Sequence, residues 1–247
     1  MGLLDELKKQ AETLKQENQR TTAESLVLNT KLTEAKMQQT FQFLHELTKQ
    51  LNVLRSESAR GFDVETIGRF ENLVLDDFFL DYRKKKIGDK DYYDHIILRF
   101  KHQSGQVLEV KRDNETLINR LRDFLLSSNI KFEMEEKKNE RGFVLYALFK
   151  IPYVVRSEVT IHAKNDIAQL VFKIKNVERI NSFELQFAAD EVSESMLDEF
   201  ARYIVGKTSK FKEIGQYMTL SRPVAASSPG NDKGSASGKP GWTIDKS

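Results

Sequence analysis

The residues of this chain best suited to chemistry are its histidines, because imidazole nitrogens ligate metals and move protons near neutral pH. They are His45, His95, His102 and His162. No two of them have the i, i+4 spacing that puts two metal ligands on one helix face. His95 and His102 are seven residues apart, so in one straight strand they face opposite sides. We expect exposed histidines on strands or hairpins and no metal site.

A group of carboxylates follows Gly88. Asp89, Asp91 and Asp94 offer the oxygen ligands that divalent cations prefer. The segment lacks the glycine and the closing glutamate of a calcium-binding loop. It is therefore more typical of a solvated hairpin tip.

Nucleophilic catalysis has no recognisable motif in this chain. There is no cysteine, no Gly-x-Ser-x-Gly and no glycine-rich phosphate loop. We therefore predict no catalytic residues, no cofactor and no metal. An enzyme with an unrecognised site is the third of three functional hypotheses.

A basic run with neighbouring tyrosines is the sharpest candidate for an anion-binding site. Aromatic rings interleaved with cations can stack on bases and follow phosphates. Aspartates surround the run and cancel most of its charge, so a charged strand edge or loop that blocks aggregation is the favoured interpretation. The second hypothesis is a nucleic-acid or anionic-ligand binding domain that uses residues 82–93, although nucleic acid is a disfavoured partner. The residues are Arg83, Lys84, Lys85 and Lys86, flanked by Tyr82, Tyr92 and Tyr93.

The N-terminal segment, residues 1–58, has the pattern of a long helical arm. It contains neither Gly nor Pro from Leu3 to Ala59. A frame of three- and four-residue steps joins the leucines of a first set, with a polar stretch from Asn18 to Ser25 inside it, and a second set of leucines is out of phase with the first. This pattern is typical of a coiled coil with a break. The first set is Leu4, Leu7, Leu14, Leu28 and Leu32, and the second is Leu44, Leu47, Leu51 and Leu54.

Two structures fit this arm. One is a continuous helix of roughly 80 Å at 1.5 Å per residue. The other is a helical hairpin bent near residues 20–23, where Thr21 to Glu24 has the form of a capping box. In either case the apolar stripes must be buried, against a partner helix or against the domain that follows.

Residues 60–215 predict an α+β domain. Apolar and polar residues alternate with period two, as in Ile96–Lys101 and Val159–Ala163, which indicates antiparallel strands with one wet face. We predict a tight hairpin at Ser104-Gly105 and a polar loop at 137–142.

Two helices interrupt the predicted strands. One starts after Asp113 as N-cap and ends near Ser128, and the other starts near Ser193 and ends at a left-handed Gly206. This order suggests two β–β–α units, at roughly 92–128 and 168–205.

The C-terminal segment, residues 216–247, is rich in Ser, Gly, Pro and Lys, and this composition predicts a disordered tail. It contains Trp242 and Ile244, which together suit a docking peptide or belong to a neutral tail.

Two stretches carry a resemblance to a known family. Phe41 to Leu54 (FQFLHELTKQLNVL) and Ala189 to Gly206 (ADEVSESMLDEFARYIVG) resemble an uncharacterised family of proteobacterial cytoplasmic proteins. These proteins pair an N-terminal helical segment with a C-terminal α+β domain. The resemblance implies a bacterial cytoplasmic protein and no activity or site residues.

Charge and composition agree with that location. Residues 1–58 carry eight basic and eight acidic side chains, and the whole chain has a net charge of +2. Acidic residues follow the start at once, and no apolar run approaches the roughly 18 residues of a membrane span. The leading hypothesis is a non-enzymatic scaffold, which self-associates or binds a protein partner through the leucines of the arm and presents its α+β domain for recognition.

Overall fold

Runs of strands separated by helices make up the part of the chain that this computed structural model describes, residues 3–64 and 67–218, with side chains from residue 22 onward. The helices are α1 (Leu3–Leu54), α2 (Glu115–Ser127), α3 (Glu194–Val205) and α4 (Phe211–Ile214), with a 3₁₀ turn at Ala189–Glu191. The strands are β1 (Phe62–Val64), β2 (Gly68–Phe70), β3 (Val74–Ile87), β4 (Lys90–Arg112), β5 (Glu133–Lys138), β6 (Val144–Lys164), β7 (Gln169–Lys175), β8 (Ser182–Ala188) and β9 (Gln216–Tyr217).

The predicted α+β class with an antiparallel sheet is confirmed. Seven strands form one sheet in the order β3-β4-β6-β7-β8-β9, and β5 also pairs with β6. Every pairing in this sheet is antiparallel. β1 and β2 form a separate hairpin.

β4 and β6 are the long central strands, of 23 and 21 residues. They pair from His95 opposite His162 to Arg112 opposite Ala147, with a register shift between Gln103 and Val107. The predicted hairpin at Ser104-Gly105 is therefore wrong. Both halves of β4 pair with the same strand, so the polar, glycine-containing segment is an irregularity within β4.

Strict alternation along β6 explains how one strand serves two cores. Its odd-numbered side chains are buried from Ala147 to Ala163, apart from half-buried Tyr153, and its even-numbered ones from 146 to 162 are half-buried. Val159 and Ile161 join a core with α1, α3 and α4. Phe149 and Ile151 join a second core with α2 and the β1–β2 hairpin. Both cores therefore lie on one side of β6.

The N-terminal segment is a single helix, α1, and not the alternative hairpin. One stripe of its side chains packs on the domain that follows. Of the two predicted ways to bury the apolar stripes, a partner helix or the following domain, this stripe uses the second. The phase break between the two leucine sets means that they face different sides of α1. Leu28, for example, lies about 160° around the helix from Leu44. The stripe consists of Thr30, Thr33, Met37, Thr40, Leu44, Thr48 and Leu51.

Polar side chains of α1 also replace missing backbone partners at the bulges of the sheet. Asn52 donates to the Phe78 carbonyl and accepts from its N–H, both at 2.9 Å, where β3 is irregular. Glu34 accepts from the Tyr93 N–H at 2.8 Å beside the second irregularity of the β3–β4 pair. These contacts fix the position of the helix along the strands. Two further bonds run from Lys36 to the Val192 carbonyl (2.7 Å) and from Asn29 to the Asp166 carbonyl (2.8 Å).

The ends of α2 and α3 follow the capping chemistry of the sequence. The Ser193 hydroxyl accepts from the Met196 N–H, and Gly206 has a left-handed φ of 82°, both as predicted. The N-cap of α2 is Asn114, one residue beyond the predicted Asp113.

We expect Leu44→Ala to lower the free energy of unfolding by about 2–5 kcal/mol, because Leu44 is fully buried and its loss leaves a cavity. Leu54→Ala is the matched control. Leu54 is 67% exposed, and its truncation should change stability by less than about 0.5 kcal/mol. Chemical denaturation measures both variants. Equal effects would show that α1 does not belong to the core.

Candidate functional site

A groove of about 480 Å³ lies on the open face of the sheet, opposite the two cores. Because side chains alternate along a strand, the neighbours of buried residues point outward here. The register places Arg99 on β4 opposite Glu158 on β6, and Glu158 opposite Lys175 on β7. Three further charged side chains line the groove, namely Asp77, Lys101 and Arg156. Lys101 on β4 lies opposite Arg156 on β6. Phe79 on β3 and Asn129 after α2 complete the walls.

The charges in this groove do not balance. The Arg99 Nε lies 2.7 Å from a Glu158 oxygen, and Lys101 forms an ion pair with Asp77. Both carboxylates of the lining are thereby occupied. Arg156 and Lys175 have no ion-pair partner among the described residues. The groove therefore carries about two uncompensated positive charges.

Buried polar contacts hold the end of the groove near α2. Asn176 follows β7 with a left-handed φ of 55°, and it is buried. Its side-chain amide donates to the backbone carbonyls of Ser128 (3.2 Å) and Arg156 (3.3 Å). Its backbone carbonyl accepts from the Ser157 hydroxyl at 2.5 Å. These bonds join β6, β7 and the end of α2. A second depression of about 350 Å³ shares Glu158 and Lys175 and continues toward Ser182.

The basic run of the sequence lies at the tip of the β3–β4 hairpin, and half of it is engaged within the domain. The Lys84 ammonium is 4.9 Å from the centre of the Tyr93 ring, and Tyr93 itself is only 7% exposed. Lys85 pairs with Asp94 at 3.4 Å. Arg83 and Lys86 stay exposed, without an ion-pair partner among the described residues.

The aromatic side chains of this hairpin support its fold. The Tyr82 ring meets the Phe41 ring of α1 edge to face at 4.9 Å, and Tyr93 packs on the same ring at 5.9 Å. Burial raises the pKa of Tyr93 above its ordinary value. Tyr93 is therefore unavailable for stacking on a ligand, while Tyr92 is half-buried.

Two of the histidines meet across strands. His95 and His162 are register partners on β4 and β6, with ring centres 5.4 Å apart. The His95 Nδ1 lies 2.8 Å from an Asp94 oxygen. Burial, followed by the nearby His95, lowers the pKa of His162. Among the side chains that the structure describes, which begin at residue 22, no three His, Asp or Glu residues converge as a metal site. Asp89, Asp91 and Asp94 therefore do not form one.

His102 departs from the expected exposure, although it does face the side opposite His95. It is fully buried, with its ring 4.7 Å from that of Phe62. Its Nδ1 lies 3.0 Å from the Ser58 hydroxyl, and its Nε2 has no hydrogen-bond partner among the described residues. Burial lowers the pKa of His102 to about 3. His45, by contrast, is exposed on α1.

The predicted leucine contacts divide into three groups. Leu44 and Leu51 are buried in the core of their own domain and Leu47 is half-buried there, so they are not free for a partner. Leu28, Leu32 and Leu54 are exposed to 65%, 37% and 67%. Side chains of Leu4, Leu7 and Leu14 lie outside the described residues, as do Trp242 and Ile244.

Sequence reasoning missed the groove. Its signal was present in the polar members of the alternating strands, such as Arg99, Lys101 and Lys175. Alternation shows which residues share a strand face, but not which strands are neighbours, so the excess charge was not apparent.

Comparisons of the chain with protein-family models, with curated proteins and with solved structures found no match. The resemblance noted in the sequence therefore stays a prediction. Among the described residues, none of the helices combines the length and apolar character needed to cross a membrane.

We expect the stability of the protein to fall as the pH drops below about 6.5, the ordinary pKa of a histidine side chain. Because the pKa of His102 is lowered in the folded protein, its imidazole takes up a proton in the unfolded chain at a higher pH than in the folded one. The contribution to stability is therefore full above about pH 6.5 and is lost on acidification toward about pH 3. The slope from one group approaches about 1.4 kcal/mol per pH unit.

Denaturation curves between about pH 7 and pH 5 measure this slope. His102→Gln should reduce it. His162 acts in the same direction, so the difference between wild type and variant is the informative quantity. An unchanged slope in His102→Gln would contradict the assignment.

Proposed function

We propose that this chain is a non-enzymatic interaction protein that self-associates through the N-terminal part of α1 and presents the open face of its sheet for recognition. The observation that carries the assembly proposal is the change in α1 at Asn29. From residue 22 to residue 28 the helix is exposed all round, and C-terminal to Asn29 one stripe is buried.

The exposed part of α1 is apolar enough to need a cover. All seven residues from 22 to 28 are exposed, which includes Leu26 (47%), Val27 (52%) and Leu28 (65%). An isolated helix of this kind is marginal in water, and its apolar side chains gain stability only when they pack on another surface.

The protein's own domain does not supply that cover. Leu28 and Leu32 lie about 160° and about 120° around α1 from the buried Leu44. The hydrogen bonds of Glu34 and Asn52 hold the rotation of the helix. Turning the first leucine set inward would expose the second. We therefore propose that a separate chain contacts the first set.

A second copy of this chain is the occupant that fits best. The frame of three- and four-residue steps that places the leucines of the first set on one seam is self-complementary. The basic and acidic residues of the arm are equal in number, so that identical arms carry no net charge to repel each other. Residues 3–28 extend about 39 Å at 1.5 Å per residue, which is more than three heptads. This length is adequate for a helical dimer.

The second hypothesis, anion binding by residues 82–93, keeps only partial support. Arg83 and Lys86 are exposed, but Lys84, Lys85 and Tyr93 are engaged within the domain. Two cations at a hairpin tip, next to aspartates, form a weaker site than the groove.

The third hypothesis, an enzyme, gains no support from the groove. Its two carboxylates pair with cations, and the only hydroxyl among its described lining residues, that of Ser157, donates to a backbone carbonyl. A nucleophile next to a free base is not formed there.

Sedimentation velocity on the full chain tests the assembly. We expect a dimer, and we expect Leu28→Asp with Leu32→Asp to give a monomer, since four charges would be buried at the seam. Leu54→Asp is the control at an exposed leucine outside the seam and should remain dimeric. Circular dichroism checks that all variants are folded. A monomeric wild type, or a dimer in the double variant, would refute the proposal.

A further inference from the structure

We propose that the groove on the open face binds a phosphate monoester attached to a planar apolar group. The inference rests on the part of the proposed function that assigns recognition to this face, and it does not depend on assembly through α1.

The first argument is an opposition of like charges. Lys101 on β4 stands directly opposite Arg156 on β6 on the same face. Like charges in this position destabilise a sheet. The ion pair with Asp77 compensates Lys101, but nothing described compensates Arg156. A bound anion beside Arg156 removes this repulsion.

The second argument is the convergence of Arg156 with Lys175. Lys175 lies opposite Glu158, two residues along β6 from Arg156, so the two cations are diagonal neighbours at about 7–8 Å between backbones. Their long side chains can reach one anion between them. Arg99 holds the Glu158 carboxylate at 2.7 Å from the β4 side, which reduces its competition for these cations.

The charge count favours a phosphate monoester. It carries between about 1.5 and 2 negative charges at neutral pH, which matches the two uncompensated cations. Guanidinium groups bind phosphate oxygens in pairs through parallel N–H bonds, and an ammonium adds a point charge.

Phe79 supplies the site for the planar group. It lies opposite Arg99 in the register, lines the same groove and is 53% exposed. An exposed ring in a groove of about 480 Å³, next to cations, suits an aromatic body more than an extended polymer.

Calorimetric titration of the full chain at low salt tests the inference, with phenyl phosphate, inorganic phosphate and phenol as probes. We expect phenyl phosphate to bind most tightly, inorganic phosphate more weakly, and phenol not measurably. Arg156→Gln with Lys175→Gln should weaken phenyl phosphate binding by about tenfold or more. Phe79→Ala should remove the advantage of phenyl phosphate over inorganic phosphate.

Arg83→Gln with Lys86→Gln is the matched control, since it removes the same charge from the hairpin tip. Affinity should be unchanged in this variant. If it falls there and not in the groove variant, anion binding belongs to residues 82–93. Absence of binding to the wild type, or equal binding by the groove variant, would overturn the inference.

Thermal unfolding checks that each variant is folded, and Lys175→Gln alone serves if the double variant is not. Sedimentation of the same samples separates the two proposals. A dimer that binds no phosphate ester would refute the ligand and leave the assembly intact.

Discussion

Packing of one stripe of α1 on the sheet is the constraint on which the rest of the structure depends. Met37 and Leu44 are fully buried and Leu51 nearly so, and the hydrogen bonds of Asn52 and Glu34 fix the helix on the irregular places of β3 and β4. This packing covers part of one face of the sheet, and α2 with the β1–β2 hairpin covers another part of the same face. It leaves the opposite face, with its alternating charged side chains, accessible to a ligand.

The same constraint divides α1 into two parts with different environments. The packing of one stripe on the domain fixes the rotation of α1 about its axis. The leucines on the other side of the helix therefore face solvent. Leu28 is exposed and Leu44 is buried, although both belong to heptad-like patterns in the sequence. Self-association through the first set and folding through the second set are therefore compatible in one uninterrupted helix.

Much of the fold follows from local patterns. Period-two alternation predicted the antiparallel sheet with one wet face, and capping residues such as Ser193 and Gly206 predicted the limits of α3. Non-local properties were not predictable in this way. The burial of His102, the passage of β4 through Gly105 and the placement of Arg156 beside Lys175 depend on strand neighbours, which a single sequence does not specify.

Amide hydrogen exchange along α1 at low and high protein concentration tests the central claim most directly. Residues 30–51 should be protected equally at both concentrations, because they belong to the domain core. Residues 22–28 should gain protection as concentration rises if a second chain covers them, as we propose. Fast exchange of residues 22–28 at every concentration, or exchange of residues 30–51 at the same fast rate, would contradict the account.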